Sequence, residues 1–145
     1  MIFMLVRDVM NKNVVTVEPG VTVKEAAKIM TRCGIGSLLV VDKNKKVVGV
    51  VTNGNVLETI AKGKDADLVT LEEVMSKKVV SVEPDKTIEH AVNLMVENKI
   101  KKLPVVNGNR LVGIVTASDI IVVEPKLIEE IAKLISINLV TCRGG

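Results

Sequence analysis

Val9-Met10-Asn11-Lys12-Asn13-Val14-Val15-Thr16-Val17-Glu18-Pro19 returns further along the chain as Val74-Met75-Ser76-Lys77-Lys78-Val79-Val80-Ser81-Val82-Glu83-Pro84. The register holds through Gly36-Ser37-Leu38-Leu39-Val40-Val41 against Lys101-Lys102-Leu103-Pro104-Val105-Val106. After a shortened turn it resumes as Val48-Gly49-Val50-Val51-Thr52 against Val112-Gly113-Ile114-Val115-Thr116. A repeat of this length is the structural unit. Two related halves are expected to pack about a pseudo-twofold axis, with a groove between them that suits a ligand.

Each copy opens with an extended run, Val14 to Val17 and Val79 to Val82, and turns at Glu-Pro, because proline disfavours helix in the residue before it. Thr22 then caps a helix, with Glu25 placed to complete a capping box, and Val23, Ala26, Ala27 and Met30 fall on one face. In the second copy Thr87 keeps the cap while His90 replaces the acid. Leu38 to Val41 and Leu103 to Val106 are continuous apolar runs, the pattern of strands covered on both faces. Asp42-Lys43-Asn44-Lys45 and Asn107-Gly108-Asn109 are hairpin turns, followed by returning strands Val47 to Val51 and Leu111 to Val115. Thr52 and Thr116 end those strands and start further helices. The order strand, helix, strand, strand, helix therefore occurs twice, an α+β fold.

Residues 1–60 hold the first copy, 61–70 a polar connection, 71–123 the second copy, and 124–145 a surplus helix. Thr70-Leu71-Glu72-Glu73 reads as another capping box leading into Met75. In the surplus segment Pro125 suits a helix start, and Leu127, Ile128, Ile131, Leu134, Ile135 and Leu139 form an apolar stripe. Such a stripe is expected to be covered, by its own module or across a homodimer.

The chain is 48% apolar but 1% aromatic, with Phe3 alone, so no stacking platform for single-stranded nucleic acid exists. A net charge of +3 is spread among lysines and glutamates, and no helix carries a dense basic face. Nucleic acid is therefore not an expected partner. Cys33 and Cys142 are too sparse for a disulfide framework or zinc site. Cys33 suits a buried small hydrophobe and Cys142 an exposed, oxidisable end. His90 lacks neighbours for metal or catalysis. No nucleophile–base pair, Walker loop, metal cluster, leader or membrane span is read, so the expectation is a cytoplasmic protein that is not an enzyme.

Val14 to Pro19, Leu38 to Val41 and Gly49-Val50-Val51-Thr52, with Lys102-Leu103-Pro104-Val105-Val106 and Leu111-Val112-Gly113-Ile114-Val115-Thr116-Ala117-Ser118-Asp119, resemble the CBS domain pair, or Bateman module. The likeness runs from about Val9 to Ile121. It implies a stand-alone regulatory module that binds AMP, ADP or ATP, or alternatively S-adenosylmethionine, in clefts between the repeats. It also implies a homodimer and a regulated partner protein.

Thr116-Ala117-Ser118-Asp119 carries the physical case. A strand-to-helix junction offers backbone N–H groups and a partial positive charge to a phosphate, and the hydroxyls of Thr116 and Ser118 can add donors. Asp119 is an ionised two-oxygen acceptor suited to a ribose diol. The resemblance assigns ribose to Asp119 and phosphate to Thr116. The same residues also fit a plain helix cap. By resemblance, Ile114, Val14, Val15, Ile35 and Gly36 line the Asp119 cleft for the base, with Gly36 allowing close approach. Of Lys99, Lys101 and Lys102, Lys101 is placed on its phosphate. A weaker second site takes Thr52, Asn55, Val50, Val79, Val80, Ile100 and Lys102; Asn55 stands in the aspartate's place without its charge. The competing reading is an interaction module with vestigial clefts.

Overall fold

The computed structural model describes residues 4–141, with side chains to residue 134. Phe3 and Cys142 lie outside the described residues, and so do the side chains of Ile135 and Leu139. The elements in chain order are α1 (Val6–Val9), β1 (Thr16–Val17), α2 (Val23–Cys33), β2 (Ser37–Val41), β3 (Val47–Thr52), α3 (Asn53–Ala61), α4 (Leu71–Val74), α5 (Ile88–Asn98), β4 (Lys102–Asn107), β5 (Arg110–Thr116), α6 (Ala117–Val123) and α7 (Ile128–Thr141). A 3-10 turn at Pro125–Leu127 precedes α7.

The chain divides by contact into two compact units, residues 15–79 and residues 1–14 with 80–145. This division crosses the sequence repeat, because each opening segment docks with the other copy. Val6 and Arg7 donate their N–H to the carbonyls of Lys86 and Pro84 at 2.8 and 3.0 Å, so α1 sits at the start of α5. Likewise Leu71 and Glu72 donate to Val21 and Pro19 at 2.8 and 3.0 Å, so α4 sits at the start of α2. Residues 61–70 are part of the same unit as α2. The carbonyls of Val69 and Ala66 accept from the first N–H groups of α2, Val23 and Lys24, at 2.9 and 3.0 Å, which would otherwise lack partners.

In the 15–79 unit the sheet order is β1-β2-β3, with β1 parallel to β2 and β2 antiparallel to β3. The other unit pairs β4 with β5. There the expected opening strand, Val79 to Val82, shrinks to a single parallel bridge from Val82 to Val105. Pro104 stands where the first copy has Leu39 and has no N–H to donate, so the next rung cannot form. One aliphatic core lies in each unit. Val23, Ala26, Leu38, Val40, Val51 and Leu71 build the first; Val6, Ala91, Met95, Leu103, Val105, Val115 and Ile120 build the second.

The helix caps mostly follow the residue pattern. Thr22, Thr52, Thr87 and Thr116 each accept from the N–H three residues on. At Thr70 the acid half forms: its N–H donates to Glu73 Oε2 at 2.8 Å, while the Glu73 N–H donates to the Thr70 carbonyl at 3.1 Å. At Thr22 only the threonine half forms, with Glu25 N–H donating at 3.2 Å; Glu25 itself is exposed.

Helix α2 ends on Gly34 in the left-handed region (φ 64°), whereas α5 ends on Lys99 at φ 56°. A side chain there costs about 1 kcal/mol. Lys99→Gly is therefore expected to raise stability by roughly 0.5–1 kcal/mol once the extra unfolded-chain entropy of glycine is offset. Urea unfolding checks this; a lowered midpoint contradicts it.

Candidate functional site

The two strand-to-helix junctions are built alike and finished differently. Each threonine hydroxyl oxygen accepts from the backbone N–H three residues on, Asp119 to Thr116 at 3.1 Å and Asn55 to Thr52 at 3.4 Å. Each first helical N–H bonds to the carbonyl just ahead of the first strand of the hairpin, Ala117 to Lys101 ahead of β4 at 2.8 Å and Asn53 to Gly36 ahead of β2 at 3.0 Å. The difference lies in one side chain. The Asn55 amide oxygen turns back and accepts from the Thr52 N–H at 2.8 Å and from its hydroxyl at 3.1 Å. That closes a capping box with an amide in the acid's place.

Asp119 closes no such box. Its side chain is exposed, and among the described residues its carboxylate accepts no hydrogen bond and pairs with no cation. The plain-cap reading therefore holds for Thr116, whose hydroxyl caps α6, and leaves the Asp119 carboxylate with its lone pairs available. Two oxygens held beside a helix start can accept both hydrogens of a vicinal diol.

The helix start offers a phosphate less than its sequence suggests. The N–H groups of Ala117 and Asp119 are taken by Lys101 and Thr116, which leaves that of Ser118 at the exposed first turn. A phosphate would need added charge from a lysine. Lys102 lies directly across the ladder from Thr116, and Pro104 across from Ile114. Directly opposed residues share a face, so the side chain of Lys102 accompanies Thr116 and Ile114. Lys101 contributes its carbonyl to the helix start. Leu103, Val105 and Val115 point to the other face and are fully buried.

Val14 belongs to this unit. Ahead of it Asn11 exchanges two backbone bonds with Ile114, at 2.8 and 2.9 Å, and Ser76 does the same with Val50, at 2.9 and 3.0 Å. The role of Asn11 and Ser76 was missed from the residues, although the repeated Val-Met segment before them was the signal. The unit with Asp119 thus holds Thr116, Ser118, Ile114, Val14, Val80, Ile100, Lys101 and Lys102. The other holds Thr52, Asn55, Val50, Val79, Val15, Ile35 and Gly36. Val15, Ile35 and Gly36 are assigned to the Asp119 site by resemblance and by no distance in this structure. A Cβ added at Gly36 would meet the Asn53 carboxamide nitrogen at 3.1 Å.

Cys33 ends α2 and is exposed, not buried, because the buried stripe of that helix runs through Val23, Ala26 and Met30. His90 is exposed. Among the described residues no group of three or more His, Cys, Asp or Glu could hold a metal ion, and no helix is long and apolar enough to cross a membrane.

The family model of the CBS domain matches residues 6–62 and 71–125, and the chain belongs to that family as a tandem CBS pair. It is 38% identical over 118 residues to the CBS domain-containing protein YhcV of Bacillus subtilis, a match covering 81% of this chain and 83% of YhcV. An uncharacterized protein of Methanopyrus kandleri is 38% identical over 128 residues; the match covers 87% of this chain and spans 65% of that protein's length. Among solved structures, a CBS domain pair in complex with 5′-methylthioadenosine and S-adenosyl-L-methionine is similar with a TM-score of 0.72 and 33% identity. That match covers 82% of this chain and 94% of that one.

Proposed function

We propose that this chain is a regulatory module that binds an adenosine-bearing small molecule, with the Asp119 carboxylate accepting from the ribose diol. The observation that carries the reading is the contrast between the two junctions: Asn55 is consumed by its cap, and Asp119 is exposed and unpaired among the described residues. Support for the ligand class comes from the similar CBS pair solved with 5′-methylthioadenosine and S-adenosyl-L-methionine. Both molecules carry a ribose diol, as do AMP, ADP and ATP. On this reading the nucleoside is the recognised part. A phosphate chain, where present, is served by Lys102 and the Ser118 N–H, with Lys101 adding charge nearby.

Binding regulates only by favouring one of two conformations, to the extent that the ligand's affinity differs between them. The readers of that shift are a regulated protein in the cytoplasm and a second copy of the chain. The alternative reading, an interaction module with vestigial clefts, is favoured by the closed cap at Asn55 and by the aliphatic side chains left exposed at Leu57, Ile60 and Val122.

Calorimetric titration of ligand-free protein with AMP, ATP, 5′-methylthioadenosine and S-adenosylmethionine separates the two. Saturable binding of at least one is expected. No binding by any of the four overturns the sensor reading in favour of the interaction module.

A further inference from the structure

Helix α7 lies beyond the part of the chain that the family shares: the CBS match ends at residue 125, and the first copy has no counterpart of α7. It packs on α5 and α6, where Ile131 and Leu134 are 3% exposed and share one core with Val92 and Ile120, both fully buried. In the first copy Ala27 takes the place of Val92 and is only half-buried. Among the described residues this contact is apolar alone. The Lys133 ammonium pairs with Glu130, at 3.2 Å, inside α7 itself, and no hydrogen bond or ion pair joins residues 128–134 to α5 or α6. A helix seated this way can lift without leaving a polar group unpaired.

The helix between α7 and the candidate site is short. With seven residues, Ala117–Val123, α6 depends on packing for its stability. At its start Thr116 caps it and Asp119 faces solvent, while the next residue, Ile120, is buried in the core that α7 closes. At its end the Glu124 N–H donates to the Ile120 carbonyl at 2.8 Å, and the 3-10 turn begins on that same Glu124. Thus α6 runs into α7 with no free linker. The first copy differs at both ends: Asn55 closes the cap, and α3 runs nine residues, Asn53–Ala61. The copy with the available carboxylate is the one that carries the added helix.

We propose that docking of α7 is coupled to occupancy of the Asp119 site. A ligand held by Asp119 fixes α6, and a fixed α6 keeps the seat of Ile131 and Leu134 in place, so ligand closes α7 on the module and its loss lets α7 open. This rests on the reading of Asp119 as a ligand contact and adds the element that reports the ligand. The two states are α7 docked and α7 released, and both the ligand and the α7 contact bias the one short helix between them. Linkage makes the effect mutual: the factor by which ligand favours docking is the factor by which docking raises ligand affinity.

Hydrogen exchange of the full chain, free and with AMP, ATP, 5′-methylthioadenosine or S-adenosylmethionine, tests this beside calorimetry. In the free protein the amides of residues 128–134 are expected to exchange faster than those of α5, the mark of local opening. A compound that binds is expected to slow them roughly tenfold, a coupling of ordinary size. At the concentration that saturates wild type, Asp119→Ala is expected to lose this slowing. A ligand with equal affinity for the docked and released states would slow nothing. In the reverse direction, Ile131→Asp is expected to weaken the affinity about fivefold or more, whereas Val23→Ala, in the core of the other unit, leaves it unchanged. Should Ile131→Asp fail to fold, exchange in the wild type decides alone. Binding that leaves residues 128–134 exchanging as before or faster overturns this proposal and spares the sensor reading. So does exchange there no faster than in α5, or a folded Ile131→Asp that binds like wild type. No binding by any of the four compounds overturns the sensor reading and this proposal with it.

Discussion

Gly113→Val is expected to destabilise the protein by about 3 kcal/mol, the upper part of the range for overpacking. A Cβ at Gly113 would lie 2.9 Å from Met10 Sδ, 3.1 Å from Met10 Cγ and 3.0 Å from the Asn11 carbonyl oxygen. The methionine can swing aside. The carbonyl cannot, because Asn11 is held to Ile114 by two backbone bonds. Another backbone crossing a strand this closely is the usual reason for a glycine inside it. The first copy repeats the arrangement, with Gly49 against Met75 Sδ at 2.5 Å and the Ser76 carbonyl at 3.1 Å, so Gly49→Val should behave alike. Gly20→Ala, with nothing within 4 Å of the added carbon, is expected within about 0.5 kcal/mol of wild type. Urea unfolding of the three variants decides it. A loss below roughly 1 kcal/mol at Gly113 would mean that the opening segment gives way, and the close approach would then not constrain the fold.

The second large effect is at the candidate site. Asp119→Ala should weaken adenosine-ligand binding by roughly tenfold to a hundredfold, the loss of one charged acceptor at about 1.5–3 kcal/mol. The folded protein should hardly notice, since the carboxylate supports no hydrogen bond among the described residues. Asn55→Ala should show the reverse. Its amide oxygen closes the cap on α3, so the substitution is expected to cost about 0.5–1 kcal/mol of stability with little change in affinity. Titrations paired with thermal unfolding of both variants test the split. Comparable affinity losses at both positions would contradict the division of labour between them.

The strands and long helices were legible because their periods are local properties of each copy, and the repeat let each copy check the other. The placement of α1 was not. Val6 to Val9 carry no cap signal, and this single turn exists because Asp8 accepts from the Leu5 N–H at 2.9 Å and the carbonyls of Lys86 and Pro84 hold its start. Which copy an opening segment docks with is a long-range fact that sequence order does not contain. The shortened strand at Val82 was readable in principle, since Pro104 was in plain view and lacks the N–H a ladder needs. At the site, the Thr116 cap and the charge of Asp119 were legible. The share of Asn55 in its own cap was overlooked, although Thr52-x-x-Asn55 has the spacing of a box. The pairing of Lys102 with Thr116 was not read from the residues, because strand register, not proximity in sequence, sets which lysine lies across from it.

The central claim is that the Asp119 carboxylate reads a ribose diol, and the most direct measurement removes the partner group from the ligand. Affinities of AMP and 2′-deoxy-AMP should be compared on wild type and on Asp119→Ala, as a double-mutant cycle between side chain and hydroxyl. The wild type is predicted to prefer the ribose form by roughly tenfold, a hydrogen bond to a charged acceptor, and Asp119→Ala is predicted to lose that preference. An equal preference in both proteins, or none in either while AMP still binds, would contradict the assignment of the diol to Asp119.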